Sequence, residues 1–221
     1  MKEIFCGVFL SSNEKEKKLY TINLVPGASV YGEALIEIEK KEYREWNPTR
    51  SKLAAAILNN LRGVPIKARD KVLYLGTSTG TTCSHISDII GRRGIIYGIE
   101  YSQRVIYPLL GLAEKRKNIV PILADARKPE KYYWVEEVNV LYCDIAQPDE
   151  VDIAIRNASA FLKNRGYMMI AIKARSIDVT KEPSQIYKQE AEKLRNSNFE
   201  IIDMVNLEPY EQSHCMVLAR R

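Results

Sequence analysis

The sequence is poor in the residues that build zinc sites and disulfide frameworks. It has four cysteines and two histidines in 221 residues, and the cysteines (Cys6, Cys83, Cys143 and Cys215) lie far apart, without a C-x-x-C pair. Structural zinc sites need about four such ligands at close spacing, and disulfide-stapled domains use more cysteines. We therefore expect no metal site, and thiols that stay reduced inside a cell.

Long apolar runs are also missing. The chain has no stretch of about 18 consecutive apolar residues, which is the length that a membrane-spanning helix requires. The first five residues contain no apolar core of a secretion signal. These absences predict a cytoplasmic protein that does not enter a membrane. The net charge of +5 is mild, so it allows an anionic partner without requiring one.

What is present is a segment typical of nucleoside-cofactor binding. An apolar run from Val72 to Leu75 leads into Gly76, a series of small hydroxylated residues and Gly80; a second apolar run ends at Glu100. This pattern predicts strand, loop, helix and strand, with a carboxylate at the end of the second strand. The glycines let the backbone approach a ligand closely, and the acid is placed to accept hydrogen bonds from ribose hydroxyls.

The pattern of the chain changes after residue 46. Residues 1–46 contain segments of alternating apolar and polar residues, interrupted by Asn13-Glu-Lys and Pro26-Gly27, which predicts a small amino-terminal antiparallel β domain. In residues 47–221, helices and strands alternate, which predicts a doubly wound, mainly parallel sheet of seven strands whose last strand returns antiparallel. We expect these strands at about 71–75, 95–99, 119–123, 138–143, 167–173, 199–206 and 214–219.

The helices of this second region are expected at about 81–90, 102–116, 149–163 and 184–196, after a first helix that continues through residues 51–58. Asn47 is the predicted cap of that first helix, with Pro48 at its first position. Pro108 lies inside a later helix and should kink or shorten it.

Charged residues follow four neighbouring strands of the predicted sheet. They are Glu100, Asp125, Asp144 and Lys173. Taken singly, each is typical of the polar start of a loop. The carboxyl ends of parallel strands meet at one edge of a sheet, however, and that edge is where open α/β sheets bind ligands. The four charges together therefore predict one site.

Five segments, in this order, resemble the fibrillarin family: Asn47-Pro-Thr-Arg-Ser-Lys-Leu-Ala-Ala-Ala-Ile57, Leu75-Gly-Thr-Ser-Thr-Gly-Thr-Thr82, Asp125-Ala-Arg-Lys-Pro129, Asp144-Ile-Ala-Gln-Pro148 and Ile172-Lys-Ala-Arg-Ser-Ile-Asp178. Fibrillarins are S-adenosylmethionine-dependent RNA 2′-O-methyltransferases of box C/D ribonucleoproteins. The likeness covers nearly the whole chain. It implies a Rossmann-like methyltransferase fold and methylation of ribose in rRNA, and in tRNA as well.

The chain resembles the shorter, archaeal form of the family, which has a small amino-terminal β domain and no Gly/Arg-rich tract. Only 11 glycines occur in the whole chain. The chain departs from the family pattern at two positions. One is Thr49, where an aromatic residue is usual, and the other is Pro108.

The resemblance implies a catalytic set of Lys52, Asp144, Lys173 and His214. A ribose 2′-hydroxyl must lose its proton as it attacks a methyl group, and a lysine accepts a proton only if its pKa is lowered. Lys173 is the candidate base, with Asp144 orienting it, although a neighbouring carboxylate raises the pKa of a lysine. Lys52 and His214 would instead steer the ribose or the adjoining phosphate.

The cofactor implied by the resemblance is S-adenosyl-L-methionine. The glycines and threonines of the first loop would hold its methionine part, Glu100 its ribose, and Asp125 with Ala126 its adenine. The full set of implied cofactor residues is Gly76, Thr77, Gly80, Thr81, Thr82, Glu100, Tyr101, Asp125, Ala126, Asp144 and Gln147.

The implied partners are RNA and two proteins. A box C/D guide RNA would select the target nucleotide in rRNA or tRNA by base pairing, a Nop-domain scaffold protein would dock the enzyme, and a kink-turn-binding protein would nucleate the particle. No RRM or KH signature occurs. We expect the scaffold on the amino-terminal β domain and nearby helices. The basic residues that an RNA backbone would meet, if they are not simply solvated, are Lys40, Lys41, Arg44, Arg50, Lys52, Arg104, Lys173, Arg175 and Lys181.

Two other classes of protein compete with this interpretation. A methyltransferase that modifies an exocyclic amine usually carries an acid or Asn followed by Pro-Pro and an aromatic residue, whereas this chain has Asp144-Ile-Ala-Gln, which favours a hydroxyl acceptor. A non-catalytic assembly subunit would keep the fold without the chemistry. The intact ligand loop and the four candidate catalytic residues argue against it.

Overall fold

Two β-sheets organise the computed structural model, which describes residues 1–11 and 17–221. The first sheet is antiparallel and has the strand order β1-β2-β3-β5-β4. Its strands are β1 (Lys2–Phe5), β2 (Val8–Leu10), β3 (Leu19–Ile22), β4 (Leu35–Ile38) and β5 (Lys41–Trp46). The predicted interruption at Asn13-Glu-Lys lies outside the described residues.

The antiparallel amino-terminal sheet is confirmed, but its strands differ in detail from the expectation. The first alternating segment is two strands, because Cys6 and Gly7 form a turn between them. Strand β5 was not predicted, since its sequence, KEYREW, is mostly charged. Tyr43 and Trp46 on this strand are nevertheless buried. The boundary between two domains at residues 46 and 47 stays a prediction.

The second sheet has seven strands in the order β11-β12-β10-β9-β6-β7-β8. Strands β8, β7, β6, β9 and β10 pair in parallel, while β12 pairs antiparallel with both β10 and β11. This confirms the Rossmann-like fold class. The strands are β6 (Lys71–Leu75), β7 (Ile95–Glu100), β8 (Ile119–Leu123), β9 (Val138–Cys143), β10 (Leu162–Lys173), β11 (Glu200–Asn206) and β12 (His214–Arg220).

Helices cover both faces of this sheet. They are α1 (Lys52–Leu58), α2 (Thr81–Ile90), α3 (Gln103–Lys115), α4 (Glu150–Phe161), α5 (Ala174–Ile177) and α6 (Pro183–Asn196), with a short 3₁₀ helix at Pro129–Tyr132. On one face, Leu53 and Ile86 join a core to which the first sheet adds Trp46. On the other face, Ile153 and Leu194 belong to a second core.

The predicted cap of the first helix is wrong. The first helix is capped by Ser51, whose hydroxyl accepts a hydrogen bond from the Ala54 N–H at 3.4 Å, and not by Asn47. The Asn47 side chain is occupied in a local turn, because it accepts from the Thr49 N–H at 2.9 Å.

Pro108 does not shorten its helix, which continues on to Lys115; a kink at Pro108 stays a prediction. The proline is on the exposed side, so water can reach the carbonyl that its missing N–H leaves unpaired.

The first sheet is fastened to α2 and α3 by buried charges. Arg44 on β5 is fully buried and donates to Asp88 at 2.7 Å, to Glu33 at 2.6 Å and to Ser84 at 2.9 Å. Arg116, at the end of α3, donates to the other oxygen of Asp88 at 2.5 Å. Arg44 therefore cannot belong to a basic surface that meets RNA.

The connectivity of the second sheet determines where a ligand can bind. From β6 the chain proceeds outward to β7 and β8 on one side, and it returns to β9 and β10 on the other. The crevice at such a switch point lies at the carboxyl ends of the strands. Here those ends are followed directly by Gly76 after β6 and by Asp144 after β9.

Candidate active site

Two adjoining cavities occupy the crevice at the carboxyl ends of β6, β7 and β9. The first, which we call the lysine cavity, has a volume of about 380 Å³ and contains Lys52 and Lys173. The second, the glutamate cavity, has a volume of about 410 Å³ and contains Glu100. They form one cleft, because both are lined by the shared residues Gly76, Ser78, Asp144, Ile145 and Ala146.

All four predicted catalytic residues line the lysine cavity. Lys52 is the first residue of α1, Asp144 follows β9, Lys173 ends β10 and His214 begins β12. Two of them are brought together by strand pairing, since Lys173 is directly opposite His214 in the antiparallel register. Four separate elements thus converge on one opening.

An ion pair lies at the centre of this cavity. The Lys52 ammonium is 2.8 Å from an Asp144 carboxylate oxygen, with the two side chains 22% and 19% exposed. Burial by itself would lower the pKa of Lys52, but the charge and hydrogen bond of Asp144, together with the charges of Glu211 and Glu150, outweigh it and the pKa is raised. Lys52 therefore stays protonated. The carboxylate contacts Lys52 rather than Lys173, which is the lysine that we expected it to orient.

Lys173 is held through its backbone. Its N–H donates to a carboxyl oxygen of Glu150, the first residue of α4, at 2.9 Å. Among the described residues its ammonium takes part in no ion pair, in contrast to Lys52. Its side chain is thus available to a ligand in the cavity.

His214 is neutral in this environment. It is 6% exposed, and its Nδ1 is 2.7 Å from the carbonyl oxygen of Gln212. A carbonyl only accepts, so we assign the hydrogen to Nδ1. Burial lowers the pKa of His214, chiefly by disfavouring the charged form. The second ring nitrogen, Nε2, is then an acceptor for a hydroxyl group in the cavity.

Glycine is required where the two cavities meet. Gly76 has a φ of +78°, and a Cβ added there would lie 2.4 Å from the Asp144 carbonyl oxygen. Gly80, with a φ of +94°, caps the start of α2, and a Cβ there would meet the Leu112 side chain at 2.4 Å. Within the described residues, Gly80 is the one predicted cofactor residue that lines neither cavity. Its contribution is to the shape of the loop.

The threonines of the loop are mostly engaged with the protein. Thr77 donates to the Ile99 carbonyl at 3.3 Å, and Thr82 donates to the Ser51 hydroxyl at 2.9 Å. Because Ser51 caps α1, the second bond connects the loop to the helix that begins at Lys52. Both threonines, and Thr81 with them, line the lysine cavity.

The glutamate cavity combines apolar walls with acidic groups. One oxygen of Glu100 accepts from the Ser78 N–H and the other from the Ser102 N–H, each at 2.9 Å. Each oxygen of a carboxylate has a second lone pair, so Glu100 can still accept bonds from a ligand. Ile99 and Ala126 contribute apolar surface. These walls suit a flat ring, and the acid suits a ribose.

The other predicted residues lie around the opening of the glutamate cavity. The Asp125 carboxylate accepts from the backbone N–H of Arg127 at 2.9 Å. The side-chain amide oxygen of Gln147 accepts from the Arg127 guanidinium at 2.8 Å. Tyr101 is 76% exposed at the rim. Its ring is free to cover a ligand from the solvent side.

Sequence reasoning missed several residues of the cleft. Ser78, Arg127 and Ile153 line the glutamate cavity, and Tyr74 lines the lysine cavity. Arg127 could have been found, because it stands within the Asp125-Ala-Arg motif. Glu150 had no signal at all, since an acid in the first turn of a helix is ordinary.

A membrane-spanning helix and a cluster of metal ligands are both absent from the described part of the chain. None of its helices has both the length and the apolar content for crossing a bilayer. No three His, Cys, Asp or Glu side chains there are grouped closely enough to hold a metal ion.

Comparison with known proteins gives concordant results. The family model described as Fibrillarin matches residues 1–221. A fibrillarin-like rRNA/tRNA 2′-O-methyltransferase of Saccharolobus islandicus is 59% identical over 94% of this chain and 90% of its own length. A crystal structure of Aeropyrum pernix fibrillarin with natively bound S-adenosyl-L-methionine is 52% identical, with a TM-score of 0.90, over 97% of this chain and 94% of that one.

A fibrillarin/Nop5p complex is also similar. Its matching chain is 41% identical, with a TM-score of 0.90 and complete coverage of both chains. The fold of this protein is thus that of the fibrillarin structures it matches.

Proposed function

The chain belongs to the fibrillarin family, and from that premise we propose that it transfers the methyl group of S-adenosyl-L-methionine to ribose 2′-hydroxyls of rRNA and tRNA. It would do so as the catalytic subunit of a box C/D guide-RNA ribonucleoprotein. The observation that carries the proposal is the convergence of Lys52, Asp144, Lys173 and His214 in a cavity that adjoins a second, nucleoside-sized cavity.

The cleft fits S-adenosyl-L-methionine. Glu100, Asp125 and Ala126 would hold the adenosine in the glutamate cavity, with Tyr101 and Gln147 at its opening. Gly76, Thr77, Thr81, Thr82 and Asp144 would hold the methionine end, since all five line the lysine cavity. When bound, the cofactor supplies an electrophilic methyl group on a positively charged sulfur. The related Aeropyrum pernix protein binds this cofactor natively.

The residues of the lysine cavity would have different roles in binding the target ribose and removing its hydroxyl proton. Lys52, kept protonated by Asp144, would attract the phosphate next to the target ribose. His214, with its neutral ring at the wall of the cavity, would orient the ribose and leave the single proton of the 2′-hydroxyl to Lys173. Lys173, in its neutral form, would take the hydroxyl proton on Nζ. Lys173 has no ion pair among the described residues, so its side chain is available to approach the hydroxyl.

The proposed partners follow from the family. A guide RNA would choose the nucleotide, a Nop-domain protein would dock the enzyme, as Nop5p does in the related complex, and a kink-turn-binding protein would complete the particle. Apart from Met1, the large exposed apolar side chains of the described residues lie outside residues 1–46, so a scaffold confined to the first sheet would leave them uncovered. They are Tyr101, Tyr107, Leu110, Leu123, Tyr133, Trp134 and Val179.

Radiolabelled methyl transfer to RNA tests the proposal. We expect 2′-O-methylated ribose at the guided nucleotide when guide RNA and both partner proteins are present. Label in a base or in protein would favour a different methyltransferase, and no label would favour an assembly subunit; either result contradicts the proposal.

The role of Lys173 is tested in the same assay. Lys173→Ala should reduce turnover at least about 100-fold, because no proton acceptor of the same reach remains, and should change cofactor affinity less than about 2-fold. Lys188→Ala, which removes an exposed lysine of α6, is the matched control. Retained turnover in Lys173→Ala would show that Lys173 is not the proton acceptor.

A further inference from the structure

Glu150 is a buried acid that the proposed reaction does not yet use. It is the first residue of α4, and its side chain is completely inaccessible to solvent. One carboxyl oxygen accepts the Lys173 N–H at 2.9 Å. The other oxygen has no hydrogen-bond partner within the described residues. An ionised carboxylate would be poorly stabilised there, because burial disfavours charge and a single donor offsets only part of the cost.

The bond to Glu150 secures the strand end that carries two of the predicted catalytic residues. On one side of β10, Lys173 pairs with His214 of β12. On the other side, pairing with β9 ends at Ile170 and Cys143, so β10 extends beyond its neighbour. Beyond this point the Glu150 carboxyl group replaces β9 as a hydrogen-bond partner of β10. Lys173 is thereby held from both sides.

Titratable groups of four neighbouring segments interact with Glu150. They are Asp144 in the loop after β9, Cys143 at the end of β9, Glu190 on α6 and Lys52 on α1. Glu190 is also buried, has an unpartnered oxygen of its own, and forms an ion pair with Lys193 at 3.0 Å. The neighbourhood is therefore already rich in acids before Glu150 ionises.

These surroundings determine the protonation state of Glu150. Burial above all, and then the charges of Asp144 and Glu190, raise the pKa of Glu150 to about 8, against the opposing effects of the Lys173 N–H and Lys52. The carboxyl group is then neutral at pH 7. Its proton resides on the oxygen that does not bond to Lys173, since the bonded oxygen is an acceptor.

We propose that Glu150 is a positioning residue for methyl transfer: its protonated carboxyl group holds the Lys173 end of β10, and its ionisation places a negative charge behind the two lysines. That charge would favour protonated Lys173 and so remove the proton acceptor. The inference rests on the proposed function of Lys173. Ionised Glu150 would therefore slow turnover at alkaline pH. The methyl-transfer reaction itself does not require this effect.

Two variants separate holding from charge. Glu150→Gln keeps an acceptor for the Lys173 N–H but cannot ionise, whereas Glu150→Ala removes the acceptor. Glu192→Gln, at an exposed acid of α6, is the control. Turnover and KM for the cofactor are measured in the assembled particle from about pH 6.5 to 9.5. Other titrating groups affect all variants alike, so the ratio between variants reports on residue 150.

We expect Glu150→Gln to match the unmodified protein within about 2-fold at pH 6.5 and to exceed it at least about 3-fold at pH 9.5. Glu150→Ala should lose at least about 10-fold in kcat while KM for the cofactor changes less than about 3-fold, because only the lysine end of the cleft is displaced. A ratio of glutamine variant to unmodified protein that stays constant with pH, or full kcat in the alanine variant, would overturn the proposal.

A second measurement does not depend on activity. The backbone amide resonance of Lys173, followed by NMR in the free ¹⁵N-labelled protein, should shift with a midpoint near pH 8 and should lose this titration in Glu150→Gln. An amide that does not respond to pH in the unmodified protein would overturn the proposal even if Glu150→Ala fails to fold. If the particle transfers no methyl group while the amide titrates as expected, the fault lies with the proposed function and not with the contact.

Discussion

The charged residues between the two sheets and those of the lysine cavity use the same kinds of side chain in opposite ways. Between the sheets, Arg44, Asp88 and Arg116 are at most 1% exposed, and each is satisfied by several partners. In the cavity, Lys52 and Asp144 remain partly open, and Lys173 lacks an ion pair among the described residues. Fully paired charges fasten a structure, whereas incompletely paired charges at an opening remain available for chemistry.

The fastening reaches the cofactor loop. Arg44 donates to the Ser84 hydroxyl, and that hydroxyl donates to the Thr81 carbonyl at 2.8 Å. His85, one residue further along α2, stacks on Trp46 with ring centroids 4.8 Å apart. The first sheet therefore braces the helix whose start forms part of the lysine cavity. A platform for partners alone would not need these contacts.

The largest effect on stability is expected from breaking the buried network. Asp88→Ala would leave two buried guanidinium groups without their shared partner, at a cost of about 3–5 kcal/mol in unfolding free energy. Chemical denaturation measures it. The matched control is Asp152→Ala, whose pair with Lys193 is about half exposed and is worth less than about 1 kcal/mol. Equal losses in the two variants would mean that burial does not distinguish these charges.

In the lysine cavity, the loss of a charge should reduce turnover strongly and the unfolding free energy only slightly. Asp144→Asn removes the partner of Lys52, and we expect kcat to fall at least about 100-fold, which is about 2.7 kcal/mol. The unfolding free energy should change by less than about 1 kcal/mol, because both side chains still contact solvent. Turnover and denaturation are measured on the same preparation, with Asp152→Asn, at an exposed acid of α4, as the control. A variant that unfolds easily but turns over normally would reverse the comparison.

The smallest of the three effects is expected at the glutamate cavity. Glu100→Ala should weaken S-adenosyl-L-methionine binding about 10-fold, or about 1.4 kcal/mol, because the ribose loses its acceptor. Calorimetric titration of the free protein measures this, with Glu130→Ala, an exposed acid on the 3₁₀ helix, as control. Unchanged affinity would mean that the ribose lies elsewhere.

Local patterns in the sequence were sufficient for most of the fold. The pattern of apolar residues predicted all seven strands of the second sheet and the main helices, since packing against a sheet imposes that pattern. The least accurate bound is the start of β10, which lies at Leu162 and not at residue 167. The failures have local causes too. The many charged residues of β5 conceal the alternation that predicts a strand. The Asn47-Pro48 pair is a stronger cap signal in the sequence than Ser51, which is the cap in the structure.

The candidate site was predicted less evenly. All four catalytic candidates line one cavity, and the resemblance to a family, not their spacing, had selected them. Arg44 was grouped with surface cations because a single sequence does not show which lysines and arginines are buried. Glu150 was missed for the related reason that burial, not residue type, makes it unusual.

The sequence by itself determined the order of strands and helices, the glycines of the ligand loop and the acids at the strand ends, because each depends on residues close together in the chain. Only the tertiary structure decided which charge meets which. Lys52 reaches Asp144 across 92 positions of sequence, and Glu150 reaches the Lys173 N–H because β9 stops short of β10. Pairing and burial depend on distances in space, and these distances determine which charges fasten the fold and which remain free to react.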